Sequence, residues 1–137
     1  MKIWLSLILM VVSVGITTAQ DESVNILFDV TSSDVKVQEA TVRHVNAMSA
    51  SYPNSKFEVV MYGGASQMAI QGKSTVEEQL KELVARENVS FLMCEGTLKR
   101  KEIKKSDLIP GIGTVPDGIM ELVMKQQQGW GYIKEGG

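Results

Sequence analysis

The sequence predicts an α/β domain, a three-layer α/β/α sandwich with a mostly parallel sheet of about five strands. Short apolar runs rich in β-formers alternate with stretches of helical spacing across residues 24–134. That alternation is what βαβ units produce. The 137 residues suit one domain, and no internal repeat, linker or low-complexity tract divides them.

The N-terminus reads as a targeting segment. Lys2 gives a short positive region, residues 3–16 (IWLSLILMVVSVGI) are apolar, and Thr17-Thr18-Ala19 offers small residues for a signal peptidase. A cut after Ala19 leaves residues 20–137 as the domain and predicts an exported protein, periplasmic or secreted. The alternative is an uncleaved anchor, because residues 3–20 carry no charge over 18 positions, the lower limit for a membrane span. The Thr-rich end favours cleavage, after which no membrane contact is expected. Gln20 rather than a cysteine directly follows the cut, which excludes a lipoprotein.

Residues 24–30 (VNILFDV) form the first predicted strand. Thr31-Ser32-Ser33-Asp34 is turn chemistry that ends in good helix caps. Val37, Thr41, Val45, Met48 and Tyr52 recur at helical spacing, and Tyr52-Pro53-Asn54 stops that helix. Residues 57–62 (FEVVMY) are the second strand, broken by Gly63-Gly64, and residues 65–70 suit a short helix closed by Gly72.

Two overlapping capping boxes, Ser74 with Glu77 and Thr75 with Glu78, then start a helix that runs to about Arg86. Its apolar face is Val76, Leu80, Leu83 and Val84. Residues 89–93 are the third strand, ending at Cys94, and residues 97–103 a short helix. After the turn at 107–111, residues 112–115 make a short fourth strand. Pro116 fits a first helical position, with Ile119, Leu122, Val123 and Met124 as the inner stripe. Gly129 ends that helix, and residues 130–134 (WGYIK) are the fifth strand.

Composition narrows the function. Fourteen basic residues stand against 16 acidic ones, and a mildly acidic chain lacks the basic face of a nucleic-acid binder. The local basic run, residues 99–105, also contains Glu102 and reads as a solvated helix face. One His and one Cys, far apart in sequence, make no metal cluster. No cofactor is expected, since neither glycine group matches a phosphate-binding fingerprint. His44 reads as a packing or boundary residue. The six methionines beyond the predicted cut read as core filler. Asn88-Val89-Ser90 is a glycosylation sequon, but it enters a predicted buried strand.

In open parallel sheets, ligands sit beyond the carboxyl ends of the strands. That rule nominates residues 29–33, 62–66, 94–97 and 115–118. Cys94 is the one strong nucleophile among them. The tyrosine, glycines and threonine nearest it, Tyr62, Gly63, Gly64, Gly96 and Thr97, are the candidate substrate-binding residues. A following helix would favour a thiolate, Gly96 would admit a close ligand, and Glu95 would raise the thiol pKa. A free cysteine is equally readable as a small buried hydrophobe. Gly63-Gly64 is also readable as a tight turn, as is the stretch from Pro110 to Gly113.

Three blocks carry a family resemblance: FEVVMYGGASQMAIQGKS, NVSFLMCEGTL and DLIPGIGTVPDGIMELVMKQQQGWGYIK. Together they resemble the DsrE/DsrF-like family of small sulfur-relay proteins, and most of all its stand-alone members. The resemblance implies a parallel-sheet sandwich that assembles into homotrimers or homohexamers. It also implies a persulfide-carrying cysteine at Cys94, with sulfur donor and acceptor proteins as partners. The sequence departs from the family at Tyr62, where many members have histidine, and at Gly96, where many stand-alone members have asparagine. Export is a third departure.

Three functions follow as expectations: a persulfide carrier, a non-catalytic oligomeric module that binds a small ligand or protein around an inert thiol, and a redox-responsive dimer joined through Cys94.

Overall fold

The computed structural model describes residues 23–136. The predicted targeting segment lies outside the described residues. Five strands, β1 (Ile26–Val30), β2 (Phe57–Met61), β3 (Val89–Cys94), β4 (Gly113–Val115) and β5 (Gly131–Glu135), pair in the order β4-β3-β2-β1-β5. Every pairing is parallel. Four α-helices connect them: α1 (Val35–Ser51), α2 (Glu77–Val84), α3 (Glu95–Arg100) and α4 (Gly118–Gln127). A 3-10 turn at Gly63–Ala69 precedes α2, and another at Lys105–Asp107 precedes β4.

From β1 to β4 the chain steps outward one strand at a time, with α1, α2 and α3 on one face. Their residues Val45, Leu80, Leu83 and Leu98 meet Phe28, Val59 and Phe91 in the main core. After β4 the chain recrosses the sheet on the other face through α4, and β5 lands beside β1. Leu122 of α4 meets Leu27 and Val60 in a much smaller cluster. Central β2 is buried throughout, which is why FEVVM is nearly all apolar. Phe28, Phe57 and Phe91 are fully enclosed, each worth about 1.5–3 kcal/mol of burial.

Several local expectations change. Asp34 does cap α1, accepting from the Lys36 N–H at 2.9 Å. Tyr52, however, is an exposed helix terminator rather than part of the inner face. The capping boxes do not form. Val76 occupies the cap position without a side-chain bond. Glu77 reaches past it to the Gly72 N–H at 2.6 Å, while the Ser74 hydroxyl accepts from Val76 N–H at 3.2 Å.

Helix α3 starts at Glu95 instead of Thr97, so Cys94 itself is its cap residue, with extended backbone. Pro116 falls before α4 rather than in its first turn. Asp117 takes the cap and accepts from Ile119 and Met120 N–H.

The inner stripe of α4 also differs. Gly118, Leu122 and Lys125, spaced i, i+4, i+7, face the sheet. Ile119, Met120, Val123 and Met124 are 43–61% exposed. The sequon is closed by the fold: the Asn88 side-chain amide donates to the Ser49 and Ser55 carbonyls at 3.2 Å each.

Candidate functional site

The topology fixes where a crevice forms. Strands β3 and β4 are neighbours, yet β3 leads into α3 on the main-core face and β4 leads into α4 on the other. Adjacent loops that diverge to opposite faces make the switch point at which open α/β sheets bind ligands. Cys94 ends β3 at this point, and residues 116–118 leave β4 beside it.

The four strand-end stretches meet here. An added Cβ on Gly118 would lie 3.2 Å from Cys94 Cβ, 3.3 Å from Val60 Cγ1 and 3.5 Å from Tyr62 Cδ1. A Cβ on Gly96 would lie 3.6 Å from Cys94 Sγ. The Gly63 N–H donates to Thr97 Oγ1 at 3.1 Å, which ties the glycine turn to α3. Gly64 packs so tightly on the preceding loop that a Cβ would come within 2.7 Å of the Thr31 carbonyl oxygen. Gly63 has φ +57°, a left-handed conformation that costs other residues about 1–2 kcal/mol. Both glycines therefore shape the turn that holds Thr97.

Cys94 is 9% exposed. Burial pushes its pKa up, but the N–H of Gly118, the N–H and hydroxyl of Thr97 and the N–H of Gly96 outweigh burial and bring it below its ordinary value. Donor groups near the sulfur favour its charged form, without a capping bond from the α3 backbone to the Cys94 side chain. Glu95 does not act against the thiol as expected. Its carboxylate accepts from Lys105 Nζ at 2.7 Å and Thr114 Oγ1 at 2.8 Å, and these bonds hold its own pKa down.

The basic run is likewise not merely solvated. Arg100 donates to Thr97 Oγ1 at 3.3 Å and Lys101 to Ser66 Oγ at 3.0 Å. A groove of about 430 Å³ opens beside Gly96 and Pro116, with Lys99 and Lys105 among its walls.

A second group was invisible to the sequence reading. Buried Asp29 on β1 accepts from Tyr132 OH at 2.5 Å and Lys134 Nζ at 3.1 Å. Lys134 also donates to Thr31 Oγ1 at 2.8 Å and lies 5.9 Å from the Tyr62 ring centre. Burial, then the Asp29 carboxylate, raises the Tyr62 pKa. The hydrogen bond to Asp29, then burial, pushes Tyr132 up to about 12. Both phenols are therefore donors at neutral pH. Asp29 falls in a nominated stretch, but Tyr132 and Lys134 lie more than 100 positions away and reach it only because β5 pairs with β1. His44 stands apart from this group, with Nδ1 2.8 Å from Glu135 Oε1.

Comparison with known proteins gives a consistent result. The DsrE/DsrF-like family matches residues 25–134. The fold is similar to that of a protein of unknown function, MTH1491 from Methanobacterium thermoautotrophicum, at TM-score 0.76 and 24% identity. That match covers 82% of this chain and 99% of the other. It is also similar to the ychN protein from E. coli, at TM-score 0.67 and 15% identity over 82% and 97% of the two chains. No match was found among curated proteins.

Proposed function

Because the chain belongs to the DsrE/DsrF-like family, we propose that it is a sulfur carrier whose Cys94 accepts sulfane sulfur as a persulfide and passes it on. The observation that supports this most is the place of the thiol at the end of β3, where an added Cβ on Gly96 would lie 3.6 Å from Cys94 Sγ and one on Gly118 3.2 Å from Cys94 Cβ, among N–H groups that favour its charged form. Thiolate character governs attack on a sulfur–sulfur bond.

In the loading step, the Cys94 thiolate attacks the outer sulfur of a donor persulfide. The donor's S–S bond breaks, its thiolate leaves with the bonding pair, and Cys94 gains one neutral sulfur atom. The proton on the transferred sulfur moves with it, so nothing is oxidised overall. Unloading is the same displacement by an acceptor thiolate. Tyr62, whose ring borders Gly118 together with Cys94, would hydrogen-bond the terminal sulfur. Gly63 and Gly64 hold Thr97, and Gly96 leaves the approach open.

Assembly and export complete the proposal. The exposed apolar face of α4, Ile119, Met120, Val123 and Met124, suits contact with further copies of the chain in a trimer or hexamer. Removal of residues 1–19 would deliver the domain outside the cytoplasm. The low exposure of Cys94 supports a second reading, an oligomeric binding module with a packed, inert thiol.

One experiment separates the two. Treatment with polysulfide should add the mass of one sulfur atom to the protein, and Cys94→Ser should abolish the adduct. An unmodified wild-type protein would instead support the binding module.

A further inference from the structure

Helix α4 has two jobs that meet at its ends. Its first residue, Gly118, packs on the cysteine so closely that an added Cβ would lie 3.2 Å from Cys94 Cβ. Seven residues on, Lys125 reaches down to the sheet and donates to Glu58 Oε2 at 2.9 Å. Between them only Leu122 is buried, in a cluster far smaller than the main core. A helix held by so little apolar surface depends on its remaining anchor for its position.

That anchor is unusual. Glu58 is 4% exposed, and its other oxygen, Oε1, is buried with no partner among the described residues. A second carboxylate, Glu121, lies 3.7 Å from Lys125, and the ammonium sits 4.4 Å from the centre of the Trp130 ring. A buried carboxylate is costly unless paired, so Glu58 is a poor choice for stability alone. Two turns of helix rise about 10 Å, and a tilt at the Lys125 end is therefore carried to Gly118.

We infer that the Glu58–Lys125 pair is a positioning device for the thiol: it fixes the far end of α4 so that Gly118 stays packed against Cys94. Neither side chain touches the sulfur. Both act through the placement of the helix. The inference concerns the sulfur-carrying cysteine proposed above, but its test needs no sulfur donor. Failure of sulfur loading would leave the test standing, and failure of the test would leave loading standing.

The test is the pH dependence of Cys94 alkylation in the folded protein. Lys125→Met keeps an apolar stem on Trp130 and removes the anchor. It should shift the thiol titration upward and lower the alkylation rate at neutral pH about threefold to tenfold, a shift of roughly half to one pH unit. Lys125→Arg should retain the wild-type titration. Glu58→Gln, nearly isosteric, should give a smaller shift in the same direction, and it serves if Lys125→Met does not fold. Leu83→Ala, in the main core on the opposite face, should lower stability without moving the thiol. An unchanged titration in the folded Lys125 or Glu58 variants overturns the inference, as does an equal shift in Leu83→Ala.

Discussion

Replacing Thr97 by valine removes one hydroxyl and little else, because the two side chains have nearly the same shape. In the wild type that hydroxyl favours the charged form of the Cys94 thiol. It also accepts from Gly63 N–H at 3.1 Å and Arg100 at 3.3 Å, in a residue only 1% exposed. A hydrogen bond to a charged group is worth about 1.5–3 kcal/mol, and a buried N–H left unpaired costs about 1–3 kcal/mol.

At 1.36 kcal/mol per pKa unit, loss of the hydroxyl alone would raise the thiol by one to two units. The N–H groups of Gly96, Thr97 and Gly118 remain, so about one unit is expected, with roughly tenfold less thiolate at neutral pH. Stability should fall by about 1–3 kcal/mol through the Gly63 N–H. The assay is alkylation rate against pH, with urea unfolding in parallel. Thr97→Ser keeps the hydroxyl and should keep the wild-type titration despite a lost methyl. A Thr97→Val protein that titrates with the wild type would refute the role given to the hydroxyl.

Other expectations follow from the same geometry. The folded thiol pKa lies below its ordinary value of 9.0. Its contribution to stability is therefore absent at pH values where the thiol is protonated in both states. It grows as pH rises through the lowered value, and is complete above about 9. Wild-type stability should accordingly rise relative to Cys94→Ser across that window in pH-dependent urea melts, and a constant difference would contradict the lowered pKa. Gly64→Ala should destabilise by about 1–3 kcal/mol or more, since the new Cβ meets backbone at 2.7 Å, not a movable side chain; thermal unfolding measures it. Glu95→Gln should leave the thiol titration where it is, because the carboxylate is already engaged by Lys105 and Thr114. A downward shift in that variant would restore Glu95 as an opposing charge.

Much of the fold was legible because a parallel sheet writes itself into short apolar runs. FEVVM and VSFLMC are strands in the structure as in the sequence reading. The four stretches nominated for a site lie together, since the parallel topology places all their ends on one edge. Helix α4 was less legible. Its inner face consists of a glycine, a leucine and a lysine, and its apolar residues point outward, so hydrophobic spacing indicated the wrong side. The start of α3 was missed because CEGT carries no capping signal, and Cys94 caps through backbone shape alone. The Asp29–Tyr132–Lys134 group and the Glu58–Lys125 pair depend on which strands become neighbours and where α4 crosses. No local pattern encodes either.

The central claim is that the end of β3 turns a buried cysteine into a thiolate-forming group. Titration of Cys94 in the native protein, by alkylation rate against pH, tests it most directly. The expected midpoint lies clearly below 9.0, the ordinary value that the surrounding N–H groups and the Thr97 hydroxyl lower. A midpoint at or above that value would mean that burial wins and that the thiol is packed rather than poised.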